Sequence, residues 1–329
     1  MKKSKILICD LMSPQGHVDI NAFFIDMLSK SFEIHSFFGE KIASSLGFQP
    51  SYSDKFVKYP YFLRFLFLII LHIRVIVKAK KCKVSKVLLF SYHAPSFIIA
   101  SWLAKILRIK LYVFEHNTAL TDKDDTLKLI LKCQSRHVVR FCFMEKLVDK
   151  YIEMGWRAFL INHPIIKVDD SDKLPKLSLF GADFKLKCFC PSASSSLDSI
   201  VKAAKLNKDI LFFLKGDAEQ PKFHSLRKMK NIHIQPFYEN YQLMMTKSDF
   251  VYIPVDFENR VSGPFFNALA ARTLIVVDDS NFGCWAISEF PKYVSKDFTI
   301  MRNFQGMNDD AIISYNNLIE NKLQEVLLK

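Results

Sequence analysis

One run in the 329-residue chain gathers the side chains that handle a phosphate and a sugar: Val255 to Ala270, VDFENRVSGPFFNALA. Ser262 is placed to cap a helix, free backbone N–H groups beside Gly263 can take a phosphate oxygen, and Arg260 adds a cation able to hold two oxygens. Asn267 falls one turn inside that helix, within reach of a ribose hydroxyl, and Glu258 and Asn259 lie just before it. Other polar groups sit at the ends of strand patterns, where open α/β sheets bind ligands. Glu115-His116-Asn117 follows Val113-Phe114, and a histidine there suits hydrogen bonding to a sugar or acid–base work near neutral pH. Ser13 to His17, SPQGH, sets Gly16 and His17 before a helix, and Lys215-Gly216 follows another strand. Each of these also has an ordinary reading: a tight turn for Gly16, a solvated lysine for Lys215, a histidine satisfied by its neighbours for His116. His93 and His163 raise the question of His116 from weaker positions.

Elements that alternate between strand and helix must position these residues, the pattern of parallel sheets covered by helices. Lys5–Asp10, Phe32–Phe38, Lys86–Ser91, Lys110–His116, His137–Phe143 and Ala158–Ile161 read as strands of a first domain, residues 1–165. The polar, proline-containing stretch 166–176 reads as a linker. A second domain over 177–308 repeats the alternation, with strands at Lys187–Cys190, Ile210–Lys215, Ile232–Gln235, Phe250–Pro254 and Leu274–Val277. Residues 309–329 read as a last amphipathic helix. The predicted fold class is α/β, two doubly wound, Rossmann-like domains facing a cleft.

Composition excludes fibrous and disordered classes, since half of the residues are hydrophobic and glycine is scarce. The net charge of +13 is uneven: residues 1–165 carry 25 Lys and Arg against 13 Asp and Glu. Such an excess points that half toward an anionic surface, or gives it a solvated lysine-rich face. Seven cysteines without a CxxC pair read as reduced, mostly buried thiols, and Cys188 and Cys190 share one face of a strand. The start, MKKSKILICDLMS, reads as a first strand rather than a leader, because the apolar run meets Asp10 early. Tyr61–Val77, YFLRFLFLIILHIRVIV, is nearly continuous apolar sequence followed by Lys78, Lys80 and Lys81. It is short and interrupted for a membrane span, and fits either an interfacial helix or a core helix.

The order of elements resembles the GT-B glycosyltransferases, particularly the retaining family 4 that builds bacterial surface glycans. Asn259 to Val276, NRVSGPFFNALAARTLIV, resembles that family's donor-binding segment, Gly155 to Pro164 its close of the first domain, and Glu115-His116-Asn117 the place of its histidine near the donor sugar. In that alignment Asn259 and Asn267 stand where the family has two glutamates, Arg272 where it has glycine, and Glu258 lies one residue from the first position. Pro191 to Ser196, PSASSS, replaces the family's arginine and lysine with hydroxyls.

The resemblance implies a cytoplasmic glycosyltransferase, peripheral at the inner face of the membrane. It would take a sugar from a nucleotide diphosphate sugar and pass it to a lipid-linked bacterial glycan such as lipopolysaccharide, O-antigen or capsule. His116, Glu115 and Glu258 are the expected catalytic groups. Gly16, His17, Asn117, Lys215, Gly216, Asn259, Arg260, Ser262, Gly263 and Asn267 are the expected substrate contacts. No metal, no cofactor beyond the donor, and no nucleic-acid partner is expected. The alternatives are a nucleotide-sugar epimerase, which needs further acidic and histidine groups, and a non-catalytic partner of a membrane assembly.

Overall fold

The computed structural model describes residues 3–12, 17–115, 125–167, 184–191, 196–217, 219–238, 241–299 and 304–328. The chain forms two compact units, Met1–Pro164 with Leu318–Lys329, and Ile165–Asn317.

In unit 1 the strands are β1 (Ser4–Asp10), β2 (Phe32–Phe38), β3 (Lys86–Ser91), β4 (Lys110–Phe114), β5 (Val139–Cys142) and β6 (Arg157–Leu160). They pair in parallel in the order β2-β1-β3-β4-β5-β6. Ile6, Leu7, Ile8 and Cys9 are all fully buried, as a parallel strand covered on both faces requires. The covering helices are α1 (Val18–Ser29), α2 (Glu40–Ser45), α3 (Tyr61–Lys81), α4 (Ile98–Ile106), α5 (Asp125–Cys133) and α6 (Glu145–Glu153).

Unit 2 contains β7 (Leu186–Cys190), β8 (Ile210–Lys215), β9 (Ile232–Gln235), β10 (Phe250–Ile253), β11 (Leu274–Val277) and β12 (Val294–Ser295), in the order β12-β11-β10-β7-β8-β9. Counted from its own first strand, this is the doubly wound order of dinucleotide-binding folds. Its helices are α7 (Leu197–Leu206), α8 (His224–Arg227), α9 (Tyr241–Thr246), α10 (Gly263–Ala270) and α11 (Asn281–Glu289), and α12 (Asp309–Leu328) begins in it and ends in unit 1. Phe265 sets the core between α10 and α11, meeting Phe266, Phe282, Trp285 and Phe290 at ring-centroid distances of 5.3 to 5.8 Å.

Strand order reverses twice, at β1 and β3 in unit 1 and at β7 and β10 in unit 2. Ligands of such sheets collect beyond the carboxyl ends of the strands at these reversals, so both places are site candidates.

The apolar run at Tyr61 forms helix as expected but continues to Lys81, ending with three lysines in its last turn, where cations oppose the helix dipole. The core reading holds for one face, and the opposite face is open to solvent. Leu68, Leu71, Val75, Ile76 and Ala79 are buried, while Tyr61, Phe62, Leu63, Leu66 and Ile70 are exposed. Among the described residues no helix is long and apolar enough to cross a membrane. Of the expected linker, Ile166 and Lys167 have no regular structure and 168–176 lie outside the described residues.

Candidate functional site

At the reversal in unit 2, β10 ends at Ile253 and residues 254–262 lead into α10. Arg260 is exposed, and its guanidinium lies 4.0 Å over the Phe257 ring, which fixes where the charge stands. Asn259 and Ser262 are buried, while Glu258 and Asn267 are half-buried. Ser262 occupies the position before α10 with an extended backbone, but its side chain makes no capping hydrogen bond, contrary to expectation. Its Oγ is buried with no hydrogen-bond partner among the described residues. The first turn of α10 is thus left without a side-chain cap, and Pro264 removes one of its donors. A Cβ added at Gly263 would meet nothing within 4 Å, so the helix start is open on that side. A helix start open to an incoming group and carrying a cation three residues upstream can hold an anion.

Lys215 and Gly216 end β8, beside β7. Lys215 is exposed, with its ammonium 5.9 Å over the Tyr241 ring. Gly216 is corrected as a ligand-facing glycine: a Cβ there would fall 2.3 Å from the Phe223 ring, so the missing side chain makes room for packing. A cavity of about 600 Å³ also opens in unit 2, lined by Lys202 and Leu206 of α7 together with Tyr252, Asp278, Lys296 and Phe298. None of the sequence-predicted residues lines it. We place the candidate site at the strand reversal and not in this cavity, because only the former brings an open helix start and a cation together.

At the reversal in unit 1 the structure assembles a polar cluster of which the sequence reading held His17 and, from a weaker position, His163. Asp10, buried at the end of β1, accepts hydrogen bonds on its carboxylate from Ser91 and from Asn21 Nδ2 at 2.9 Å. Tyr52 donates to the Asp10 carbonyl at 2.9 Å. His17, just before α1, has its pKa lowered by burial, with the Asp10 charge pulling the other way. His163 is buried on the Phe143 ring, with Nδ1 2.9 Å from the Pro164 carbonyl. Burial above all, with a smaller push from His17, brings its pKa down to about 4. A carboxylate and two imidazoles gathered at one strand reversal are groups able to exchange protons with a ligand. Asp10 escaped the sequence reading because a single acid ending an apolar run reads as the end of the strand.

Glu115, one of the expected catalytic groups, is built into the interior of unit 1. It is completely enclosed at the end of β4, where Oε1 takes a hydrogen bond from Tyr92 at 2.7 Å and an ion pair from Arg140. Arg140 also bonds Tyr92 at 2.8 Å and Gln134 at 2.7 Å and stacks 4.0 Å over Trp156. The group locks the ends of β3, β4 and β5 together. Gly16, His116 and Asn117 lie outside the described residues.

No protein-family model and no curated protein matches the sequence. Solved structures do match along the whole chain. The UDP-GlcNAc 2-epimerase from Neisseria meningitidis, bound to UDP-GlcNAc, is 13% identical with a TM-score of 0.58, covering 98% of this chain and 100% of that one. HepE of Anabaena in complex with UDP is 13% identical with a TM-score of 0.64, covering 98% and 90%. The glycotransferase of kitacinnamycin is 9% identical with a TM-score of 0.53, covering 99% and 96%. The fold is therefore of the GT-B type that these epimerases and transferases share, two doubly wound α/β domains.

Proposed function

We propose that the protein is an enzyme of nucleotide diphosphate sugars, with the nucleotide held by unit 2. The observation that carries this reading is the open, uncapped start of α10 beside Arg260 at the strand reversal of unit 2. In this reading the diphosphate meets the Gly263 backbone and Arg260, Asn267 takes a ribose hydroxyl, and Asn259 and Glu258 shape the loop. Structures of similar fold are described as bound to UDP or a UDP-sugar, which favours uridine as the base.

For the reaction, we favour epimerisation of a UDP-N-acetylhexosamine at C2. Inverting that carbon balances as elimination and re-addition. A base takes the C2 proton as the C1–O bond to UDP breaks, leaving a C1–C2 double bond, and UDP returns to C1 as an acid delivers a proton to the other face of C2. Asp10, His17 and His163 are the candidate acid–base groups. Several neighbours in fold carry the name of this activity. A second reading, sugar transfer to a lipid-linked bacterial glycan at the inner face of the membrane, is favoured by the exposed apolar face of α3. His116 and Asn117 keep their sugar-facing roles under that reading, and a likeness to the retaining family 4 belongs to it as well.

Incubation with UDP-N-acetylglucosamine in deuterium oxide, followed by proton NMR, separates the two. An epimerase yields a second anomeric signal and exchanges the C2 proton without any acceptor. A transferase leaves C2 untouched and releases UDP only when a lipid-linked acceptor is added. His17→Ala should lower epimerisation by about 10²- to 10⁴-fold while UDP affinity stays within roughly twofold. Absence of nucleotide binding by calorimetry would overturn both readings.

A further inference from the structure

From Lys55 to Phe114 the chain holds twelve lysines and arginines and no aspartate or glutamate over sixty residues. This stretch folds into α3, β3, α4 and β4 of unit 1 and the short 3-10 turn ahead of them. The inward side of α3 is core, yet its outward side is apolar as well. Leu63, Leu66, Ile70 and Val77 are exposed at steps of three, four and seven residues, which puts them on one helix face. At its start Tyr61 and Phe62 are 77% and 67% exposed. Helix α4 packs beside α3 and repeats the pattern, exposing Ile99, Trp102 and Ile106 at steps of three and four. Around these stripes stand exposed cations: Lys55 and Lys58 before α3, Lys80, Lys81 and Lys83 at its end, Lys105 and Arg108 at the end of α4. The Lys105 ammonium lies 5.0 Å over the Trp102 ring, which joins the two kinds of surface. Apolar patches of this extent mark a contact surface.

We propose that this face of unit 1, the outward stripes of α3 and α4 with their border of lysines and arginines, docks in the headgroup layer of an anionic bilayer. Charge selects the occupant. Two copies joined through the face would set one wholly basic border against another, whereas anionic lipid satisfies the border and takes the apolar stripes. The attachment lies in the interface and does not span it.

Co-sedimentation of the full chain with vesicles tests it. Vesicles of phosphatidylglycerol and phosphatidylcholine should carry the protein down at low salt and release most of it at high salt, whereas pure phosphatidylcholine should hold about tenfold less. The variant Phe62→Ser, Ile70→Ser, Ile106→Ser changes only exposed side chains, so it should keep the wild-type melting temperature and lose at least about tenfold in vesicle binding. The variant Lys80→Glu, Lys81→Glu, Lys105→Glu should lose as much and lose the salt dependence with it. Trp102 emission should shift to the blue on anionic vesicles only. The proposal is overturned if the wild type ignores anionic vesicles at low salt, if both lipids bind it equally, or if the serine variant binds like the wild type. It is also overturned if the face is covered by a lipid-independent dimer or by an acidic protein.

Discussion

Gly216 and Gly263 look interchangeable in the sequence, each lying close to the end of a strand pattern, and their surroundings separate them. Beside Gly216 the Phe223 ring occupies the place of a Cβ, whereas the corresponding space at Gly263 is open. The two alanine variants should therefore fail differently. Gly216→Ala should cost roughly 1–3 kcal/mol of stability through the displaced, buried Phe223. Gly263→Ala should melt within roughly 2 °C of the wild type, and yet weaken nucleotide binding about tenfold if a phosphate approaches there. Urea titrations and UDP calorimetry on both variants provide the check, and a destabilised Gly263→Ala protein with intact affinity would contradict the assignment. The reason for a glycine was not legible because it depends on which ring the fold brings against it. Ser262 teaches the same lesson: its place before α10 followed from residue types, but its hydroxyl turned out buried and not capping.

Buried strands were the most legible elements, since a run such as Lys86–Ser91 has no other way to bury both faces. Helices α2, α5, α8 and α11 and the short β12 were not anticipated. Helix α11, NFGCWAISE, opens with a glycine and aromatics that argue against helix, and forms because the Ser280 side chain caps the Gly283 N–H at 3.0 Å. Gly283 itself is required there, since a Cβ would strike the Asp278 carbonyl oxygen at 1.9 Å. Arg140 was invisible as a core residue: a cation within a strand pattern reads as solvent-facing, and its partner Glu115 lies 25 positions away on the neighbouring strand. Arg140→Ala should leave the Glu115 charge buried and uncompensated, lowering unfolding free energy by about 3–5 kcal/mol in denaturant titration. Pairing Arg140→Met with Glu115→Leu should restore most of the loss. If the double variant is as unstable as the single one, the charge argument fails.

At the scale of the molecule, two parallel sheets and the concentration of positive charge in the first half were readable, because alternation and charge are sums over many residues. Which strand ends collect polar groups was not, because that is decided by strand order. Unit 1 also carries an acid sensitivity that no sum reveals. Burial brings His72 and His163 down to about 4, well below the ~6.5 of a free imidazole. Between those values the unfolded chain binds the more protons, so stability is lost as pH is lowered through the interval and is fully present above it. Each histidine contributes a slope of about 1.4 kcal/mol per pH unit at most, roughly 2.7 for both. Urea unfolding at pH 7, 6 and 5 should show that decline, and His72→Met should remove about half of it. A flat profile would mean that neither imidazole is buried neutral.

Helix α12 begins in unit 2 and finishes in unit 1, to which residues 318–329 belong. Leu323 and Leu327 are fully buried, Lys30 pairs with Glu320 at 2.8 Å, and Lys86 donates to the Leu327 carbonyl. Unit 1 is therefore discontinuous: its sheet leaves the ribosome before unit 2, but its last helical turns are made after unit 2. During synthesis that apolar strip of unit 1 stays uncovered until the whole of unit 2 has been translated. Of the two units, the one begun earlier is the one completed later.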